Sequence, residues 1–381
     1  MITYKFRLYP SAAQAKIMDE TLETCRRLYN SLLADRIENG FRFYELSKKL
    51  VELKRDNKYL KAVHSQVLQD VNLRLDKAYQ SFFARLSKYP RFKRRGKYNS
   101  FAYPQRNIEF KLSGNFLKLG KIGKVRVKLH RPIVVGALKR VTIIKEIDQW
   151  FVALSVENDQ QLNGKTPENN VGVDVGIKNS IALSNGILIP NPKFLKQSSE
   201  KIKSLQRQLS RKKRGSENKE KAKLALAKSW RKVRRQREDF AHKLSHKIAN
   251  ENGTIVFEDL KIQNMVKNHS LASAIMDSTW GNLRQLTAYK AERRGGRVIL
   301  VNPGGSSQKC SRCGEMVPKS LSERMHQCLR CGLTLDRDIN AARNVLKVGL
   351  EQSHAETEPL LVRRISKFQS RKREAREFIG G

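Results

Sequence analysis

Cysteine is scarce in this chain, five in 381 residues, which excludes a disulfide-stapled secreted framework and fits a reducing compartment. Acidic residues are also few. Only 36 Asp+Glu face 77 Lys+Arg, a net charge of +41. A surface that repels itself this strongly needs a polyanion to offset it, and nucleic acid is the first candidate. Long hydrophobic runs are missing too: none approaches the roughly 18 residues of a spanning helix, so no membrane partner is expected. The start, MITYKFRLYPS, lacks the apolar h-region of a secretory signal, and the expected location is cytoplasmic or nucleoid-associated. Apolar content is low at 39%, yet this length suffices for two or three domains with real cores.

What is present falls into two halves. ITYKFRLYP alternates like a strand and stops at Pro10. Ser11 with Gln14 resembles a capping box, and Ile17, Leu22, Cys25, Leu28, Tyr29 and Leu32 follow at helical spacing, with Cys25 as a core residue. A second helix over HSQVLQDVNLRLDKAYQSFFARL places Val67, Leu68, Val71, Leu75, Ala78 and Phe82 on one side. Short alternating segments then follow, KVRVKLHRPI, RVTIIKEI and WFVALSV. They read as a small antiparallel barrel or sandwich that the first strand joins. The polar, turn-rich QLNGKTPENN over 161–170 marks a domain boundary. Beyond it, Lys201 to Arg237 carries sixteen Lys+Arg against two Glu, either a solvated face or disorder in parts, or a basic helical hairpin lying along a phosphate backbone. The last thirty or so residues, basic and without periodicity, read as a mobile tail over 350–381.

Four of the five cysteines form two pairs, Cys310-x-x-Cys313 and Cys328-x-x-Cys331, with fourteen residues between them and a Gly after each pair. Four thiolates close a tetrahedral shell, which implies a structural Zn²⁺ with no open position for catalysis. Gly permits the tight turns in which backbone N–H groups reach the sulfurs. His326 could serve as a ligand but is not needed. The His242/His246 pair in HKLSH has Lys where a zinc protease needs its glutamate, so no catalytic site is expected there.

The acids are sparse enough for their positions to carry information. GVDVG puts Asp174 in an apolar strand, and TIVFEDL does the same with Glu258. A charge there is costly unless paired or metal-bound. Asp336 and Asp338 precede INAARNV, a helical stripe of Ile339, Ala342, Val345 and Leu346. Singly, each acid has a plain reading: a turn residue, an ion-pair partner, a helix N-cap. Together, two strand acids and one at a helix start could converge above a sheet. Hard carboxylate oxygens suit Mg²⁺ or Mn²⁺, and two such ions can drive phosphodiester hydrolysis.

GVDVGIKNSIAL, IVFEDL and CSRCG…CLRCG running into DRDINAARNV resemble the split RuvC-like nuclease core of the TnpB family. YKFRLYPSAAQ, YPRFKRRGKYNSFAY and TWGNLRQLTAYKAERRGGRVILVNP extend the resemblance over nearly the whole chain. The family implies a multidomain α+β protein: a wedge-type β-barrel (1–10 and 87–165) with an inserted helical recognition domain (11–86). An RNase H-like nuclease domain follows (166–309 and 332–349), interrupted by a zinc ribbon (310–331). It implies an RNA-guided DNA endonuclease, with guide RNA and double-stranded target DNA as partners and a monomer carrying one RNA. By that resemblance Asp174, Glu258 and Asp338 are the catalytic, Mg²⁺-holding acids, and Asp336 shapes or caps the return to the fold. Asp259, next to Glu258, is expected on the opposite face of its strand. Gly304-Gly305 before Ser306-Ser307 departs from the bulkier residues common in relatives, which bears on the geometry of that loop. Gln66 and Gln69 are candidates for reading base edges, and Arg211, Lys212, Lys213 and Arg214 for holding phosphates. The same acids would also suit a transposase performing strand transfer, and loss of cleavage would leave an RNA-guided DNA-binding repressor.

Overall fold

A computed structural model describes residues 1–104, 110–133, 138–157, 166–320 and 323–355. The chain divides into two compact units, the first ending near residue 159 and the second starting there.

The first unit opens with β1 (Ile2–Tyr9), followed by α1 (Ala12–Glu38), α2 (Phe43–Asp56), α3 (Lys58–Ala62) and α4 (Ser65–Phe83). The capping box read from the sequence starts α1: Ser11 Oγ accepts from Gln14 N–H, and Gln14 Oε1 accepts from Ser11 N–H. Strands β2 (Ser100–Tyr103), β3 (Phe110–Ser113), β4 (Phe116–Leu119), β5 (Gly123–Lys128), β6 (Leu138–Glu146) and β7 (Gln149–Val156) complete a seven-stranded sheet in the order β2-β6-β7-β1-β5-β4-β3. As expected, β1 joins this sheet, antiparallel to both β7 and β5. Strands and helices share one core, which runs from Phe6 and Val152 to Leu32 and Leu68 and includes Cys25. Burial pushes the Cys25 thiol up to about 12, the signature of an inert packing residue.

The expected barrel does not close. The terminal strands β2 and β3 form no ladder with each other among the described residues. The sheet curls instead, and aromatic packing spans the opening: the Tyr103 and Phe110 rings lie 6.5 Å apart, and Tyr103 Oη donates to Gly120 O at 2.8 Å. Inside this unit Asp70 of α4 is buried between Arg74 and Arg140, each at 2.6 Å, tying the helices to β6. Removing it leaves two guanidiniums without their counter-charge. Asp70→Ala is therefore expected to cost about 2–3 kcal/mol in equilibrium denaturation, while Asp19→Ala, an exposed control, is expected to cost little.

The second unit is built on a five-stranded sheet. Its strands are β8 (Asn170–Val175), β9 (Asn179–Leu183), β10 (Leu188–Pro190), β11 (Thr254–Glu258) and β12 (Arg297–Val301), in the order β10-β9-β8-β11-β12. The first three pair antiparallel, while β11 runs parallel to both β8 and β12. Between β10 and β11 the basic segment forms a helical hairpin, α5 (Phe194–Ser210) and α6 (Glu217–Glu251). The short α7 (Ile262–Met265), α8 (His269–Ser278) and α9 (Trp280–Glu292) follow β11. A small hairpin of β13 (Met325–Gln327) and β14 (Thr334–Asp336) leads directly into α10 (Arg337–Ala355). That helix continues past residue 350, where the sequence reading begins the tail. Residues 356–381 lie outside the described residues, as does part of the boundary expected at 161–170.

Strand alternation decides what each face of this sheet meets. Val171, Val173, Ile255, Phe257, Val298 and Leu300 pack against Leu244 and Ile248 of α6 and Leu283 and Ala291 of α9. The intervening Val256, Ile299 and Val301 face the other way, onto Val345 and Leu346 of α10. Gly172 lets that helix lie directly on the strand: a Cβ there would sit 2.0 Å from Ala342 O. Gly172→Ala is expected to destabilise this unit by about 3 kcal/mol, read as an earlier thermal transition.

Candidate functional site

Asp174 follows Gly172 on the same side of β8, and Glu258 follows Val256 on the same side of β11, so both carboxylates belong to the α10 face. Val256 pairs with Gly172 and Phe257 with Val173. The next positions, Asp174 and Glu258, therefore emerge side by side at the ends of two parallel strands. Asp338 arrives from the first turn of α10, which crosses that face. Its placement depends on Asp336, whose Oδ1 accepts from Asp338 N–H at 2.8 Å and Ile339 N–H at 3.4 Å. Asp336 is thus the helix cap, and Asp338 is left free to project. Asp336→Ala is expected to lose about 1 kcal/mol of helix stability, measured by denaturation.

The three acids feel one another. Burial, then the charges of Glu258 and Asp338, push the Asp174 carboxyl well above its usual range, only partly countered by Arg337 and the Val175 N–H. Each flanking acid has a donor of its own. Ser306 Oγ donates to Glu258 Oε1 at 2.6 Å, Asn179 Nδ2 donates to Asp338 Oδ2 at 3.4 Å, and Arg337 Nε lies 3.7 Å from Asp338 Oδ1. Asp259 takes the opposite direction, as expected from strand register. Its Oδ1 accepts from Arg284 Nη1 of α9 at 3.0 Å.

Cys310, Cys313, Cys328 and Cys331 converge into a possible metal site, the one cluster of ligating side chains of this kind among the described residues. Cys310 and Cys331 sulfurs are 3.6 Å apart, and those of Cys313 and Cys328 are 3.5 Å apart. Tetrahedral Zn–S bonds of 2.3 Å put sulfurs about 3.8 Å apart, so the donor set fits that ion in number, type and spacing. The two halves are built alike. Gly314 N–H donates to Cys310 O at 2.9 Å and Gly332 N–H to Cys328 O at 2.8 Å, with the glycines at φ +81° and +70°. Burial raises the Cys310 thiol, but N–H groups of Cys313 and Arg312 and the His326 side chain outweigh it and hold it at about 5. The Glu315 N–H lowers Cys313, while burial and the three neighbouring sulfurs raise it to about 12. Cys310 is thus disposed to ionise, while Cys313 keeps its proton unless a cation replaces it. His326 is fully buried and lies outside the four-sulfur set.

Two asparagines of α10 tie this thiol module to the acid face, and sequence reasoning missed both. Asn340 accepts from Ser311 N–H at 2.9 Å and donates to Lys309 O at 2.7 Å, gripping the backbone on either side of Cys310. Asn344 donates to Ser306 O at 2.8 Å and Lys309 O at 2.6 Å. Polar residues on a helix carry no pattern of their own. The available signal was their i, i+4 spacing after Asp338 on an otherwise apolar stripe.

The remaining candidates lie elsewhere. Arg211, Lys212, Lys213 and Arg214 are exposed at the turn between α5 and α6. Gln69 is exposed on α4 in a groove with Leu50, Val51, Lys54, Arg55 and Lys61, whereas Gln66 turns inward with a buried Oε1 that accepts no hydrogen bond from a described residue. His242 and His246 are exposed on α6 and join no ligand cluster among the described residues.

Fold and site thus define an α+β protein with a carboxylate face and a four-thiol module joined through one helix. Comparison with known proteins agrees. Family profiles described as "Probable transposase", "Cas12f1-like, TNB domain" and "Helix-turn-helix domain" match residues 153–269, 280–345 and 1–40. Residues 1–40 contain here one strand and one uninterrupted helix, β1 and α1. A Streptomyces pristinaespiralis protein named "Putative RNA-guided DNA endonuclease" is 35% identical over 92% of this chain and 90% of its own length. The Escherichia coli protein named "Putative RNA-guided DNA endonuclease InsQ" is 32% identical over 91% and 92%. A solved Cas12f1–sgRNA–target DNA complex aligns over 91% of this chain and 98% of that chain, at 16% identity and a TM-score of 0.35, too loose a likeness to carry weight. The chain belongs to the TnpB family, the OrfB type of insertion-sequence protein. Among the described residues, no helix is long and apolar enough to cross a membrane.

Proposed function

We propose that this chain is an RNA-guided DNA endonuclease of a transposable element, hydrolysing phosphodiester bonds of double-stranded DNA beside a short motif. The observation that carries this reading is the meeting of Asp174, Glu258 and Asp338 on the α10 face of the second sheet. The mixed sheet β10-β9-β8-β11-β12, with β11 parallel to β8 and β12, supports the RNase H-like core that the resemblance implies. The names of the relatives in Streptomyces and Escherichia coli point the same way.

In this reading Asp174, Glu258 and Asp338 hold Mg²⁺ or Mn²⁺. When bound, a pair of such ions activates the attacking water and stabilises the leaving oxygen. Asp174 lies between its two neighbours in charge coupling and would hold the ions together with them. Asn179 and Ser306 restrain the outer two carboxylates. The thiol module holds Zn²⁺ in a closed shell and takes no part in the chemistry. A net charge of +41 suits a protein that grips guide RNA and a guide–target heteroduplex by backbone and shape, leaving sequence to base pairing. Arg211, Lys212, Lys213 and Arg214 offer phosphate contacts, and Gln69 is better placed than Gln66 to reach a base edge. The barrel-like sheet with its helices, the nuclease core and the thiol ribbon are the working domains of a monomer carrying one RNA.

The test is to sequence the RNA that co-purifies with the protein and to assay plasmids bearing the complementary target. The expected result is a bound RNA of defined sequence and linear product from wild type alone, none from Asp174→Ala. RNA-free protein, or equal cleavage by the variant, would overturn the proposal. The transposase reading is favoured by one observation, the description of the profile matched over 153–269. It requires joined strand-transfer products in the same assay, where hydrolysis yields free ends.

A further inference from the structure

Of the three acids, Glu258 is the least constrained by the backbone that carries it. It is the last residue of β11 and has three side-chain torsions, where each aspartate has two. A free glutamate samples many rotamers, so a ligand-holding geometry needs an external restraint. Ser306 supplies one at 2.6 Å, through a hydroxyl donated to the carboxylate, a short charge-assisted bond. Ser306 is itself restrained. Its carbonyl accepts from Asn344 of α10, the helix that carries Asp338. Gly305, at φ +66°, turns the chain there, and its carbonyl accepts from the N–H groups of Gln308 and Lys309. Lys309 O is gripped by both Asn340 and Asn344, one residue before Cys310. A continuous strap thus runs from the thiol module through 306–309 to Glu258, clamped along its length by α10.

We infer that Ser306 is a positioning residue for Glu258, holding Oε1 so that the carboxylate stays beside Asp174 and Asp338, where the three would hold an ion. The inference rests on the nuclease reading given above. A restraint of this kind acts on ion affinity, and loss of a partner to a metal-holding carboxylate typically costs about 10- to 100-fold. The alternative role is purely local, with the hydroxyl only closing the 304–309 turn.

The experiment uses the full chain with its co-purified RNA. Mn²⁺ binding is followed by the free-ion electron paramagnetic resonance signal, and the isotherm of each protein's Asp174→Ala counterpart is subtracted to cancel ions held by RNA. Ser306→Ala is expected to shift the site-specific isotherm, and the half-saturating Mn²⁺ for cleavage, about 10- to 100-fold upward. Ser306→Thr, which keeps the hydroxyl, is expected to restore both. An unshifted isotherm in Ser306→Ala overturns the inference, as does a shift that Ser306→Thr fails to restore, because that outcome assigns the residue to the turn. Glu258→Gln separates this from the parent reading. If it cleaves like wild type, the nuclease assignment of Glu258 fails. If it is inactive while Ser306→Ala binds Mn²⁺ normally, only the positioning role fails.

Discussion

Asp174→Ala is expected to reduce target cleavage by about 10³-fold or more, with RNA binding and thermal stability kept. If Asp174 helps to hold catalytic ions as proposed, removing its carboxylate forfeits several kcal/mol of barrier lowering, and each 1.4 kcal/mol is tenfold. Stability should not fall, because this carboxylate is crowded by Glu258 and Asp338 and its charge is disfavoured in the folded protein. The same crowding sets a pH dependence. A carboxyl raised above its usual range must lose its proton to take a cation, so protons and Mg²⁺ compete. The half-saturating Mg²⁺ for cleavage is expected to rise as pH falls from 8 toward 6, and initial rates across a Mg²⁺ series at each pH measure it. For stability the sign is opposite. A carboxyl whose folded pKa lies above its unfolded value opposes folding when ionised, so metal-free protein gains stability as pH drops through that folded pKa. A midpoint independent of pH in the metal titration would remove Asp174 from the ion site.

Cys310→Ser is the second large effect, and it acts at a distance from the acids. A structural zinc contributes an apparent ~10–16 kcal/mol of binding free energy, more than a module of this size could supply from its own packing. Losing one thiolate should empty the site and free the 306–311 strap, whose Lys309 and Ser311 flank the substituted residue. Bound zinc by elemental analysis is expected to fall from one per chain toward none. Cleavage should drop about 10²-fold as Glu258 loses its anchored partner. The first unit, with its own core, should melt as before. Full cleavage by a zinc-free variant would show that the thiol module and the acid face are independent.

The strand acids stood out in the sequence because a charge in an apolar strand contradicts its surroundings, and period-two alternation sent Asp259 to the face opposite Glu258, whereas the face shared by Asp174 and Glu258 came from the strand pairing. The thiol pairs were legible from spacing and the glycines after them, since few other arrangements use four cysteines that way. Asp336 as cap followed from its place ahead of a helical stripe. Ser306, Asn340 and Asn344 were not legible, because a hydrogen bond between residues remote in sequence leaves no local pattern. Barrel closure was misjudged for a related reason. Alternation identifies strands, but whether the last pairs with the first depends on sheet curl, here ended by the Tyr103–Phe110 contact. Gln66 and Gln69 differ in exposure although both lie on α4: Gln69 is exposed, while Gln66 is half-buried with its Oε1 enclosed.

The central claim is that Asp174, Glu258 and Asp338 act as one centre, and the most direct measurement is plasmid cleavage by the single, double and triple alanine variants of these acids. Residues that hold shared ions act as a unit, so each single variant is expected to fall to the background rate and the double and triple variants to go no lower. If the losses instead multiply, or if any one single variant cleaves at the wild-type rate, the three carboxylates do not form the site described here.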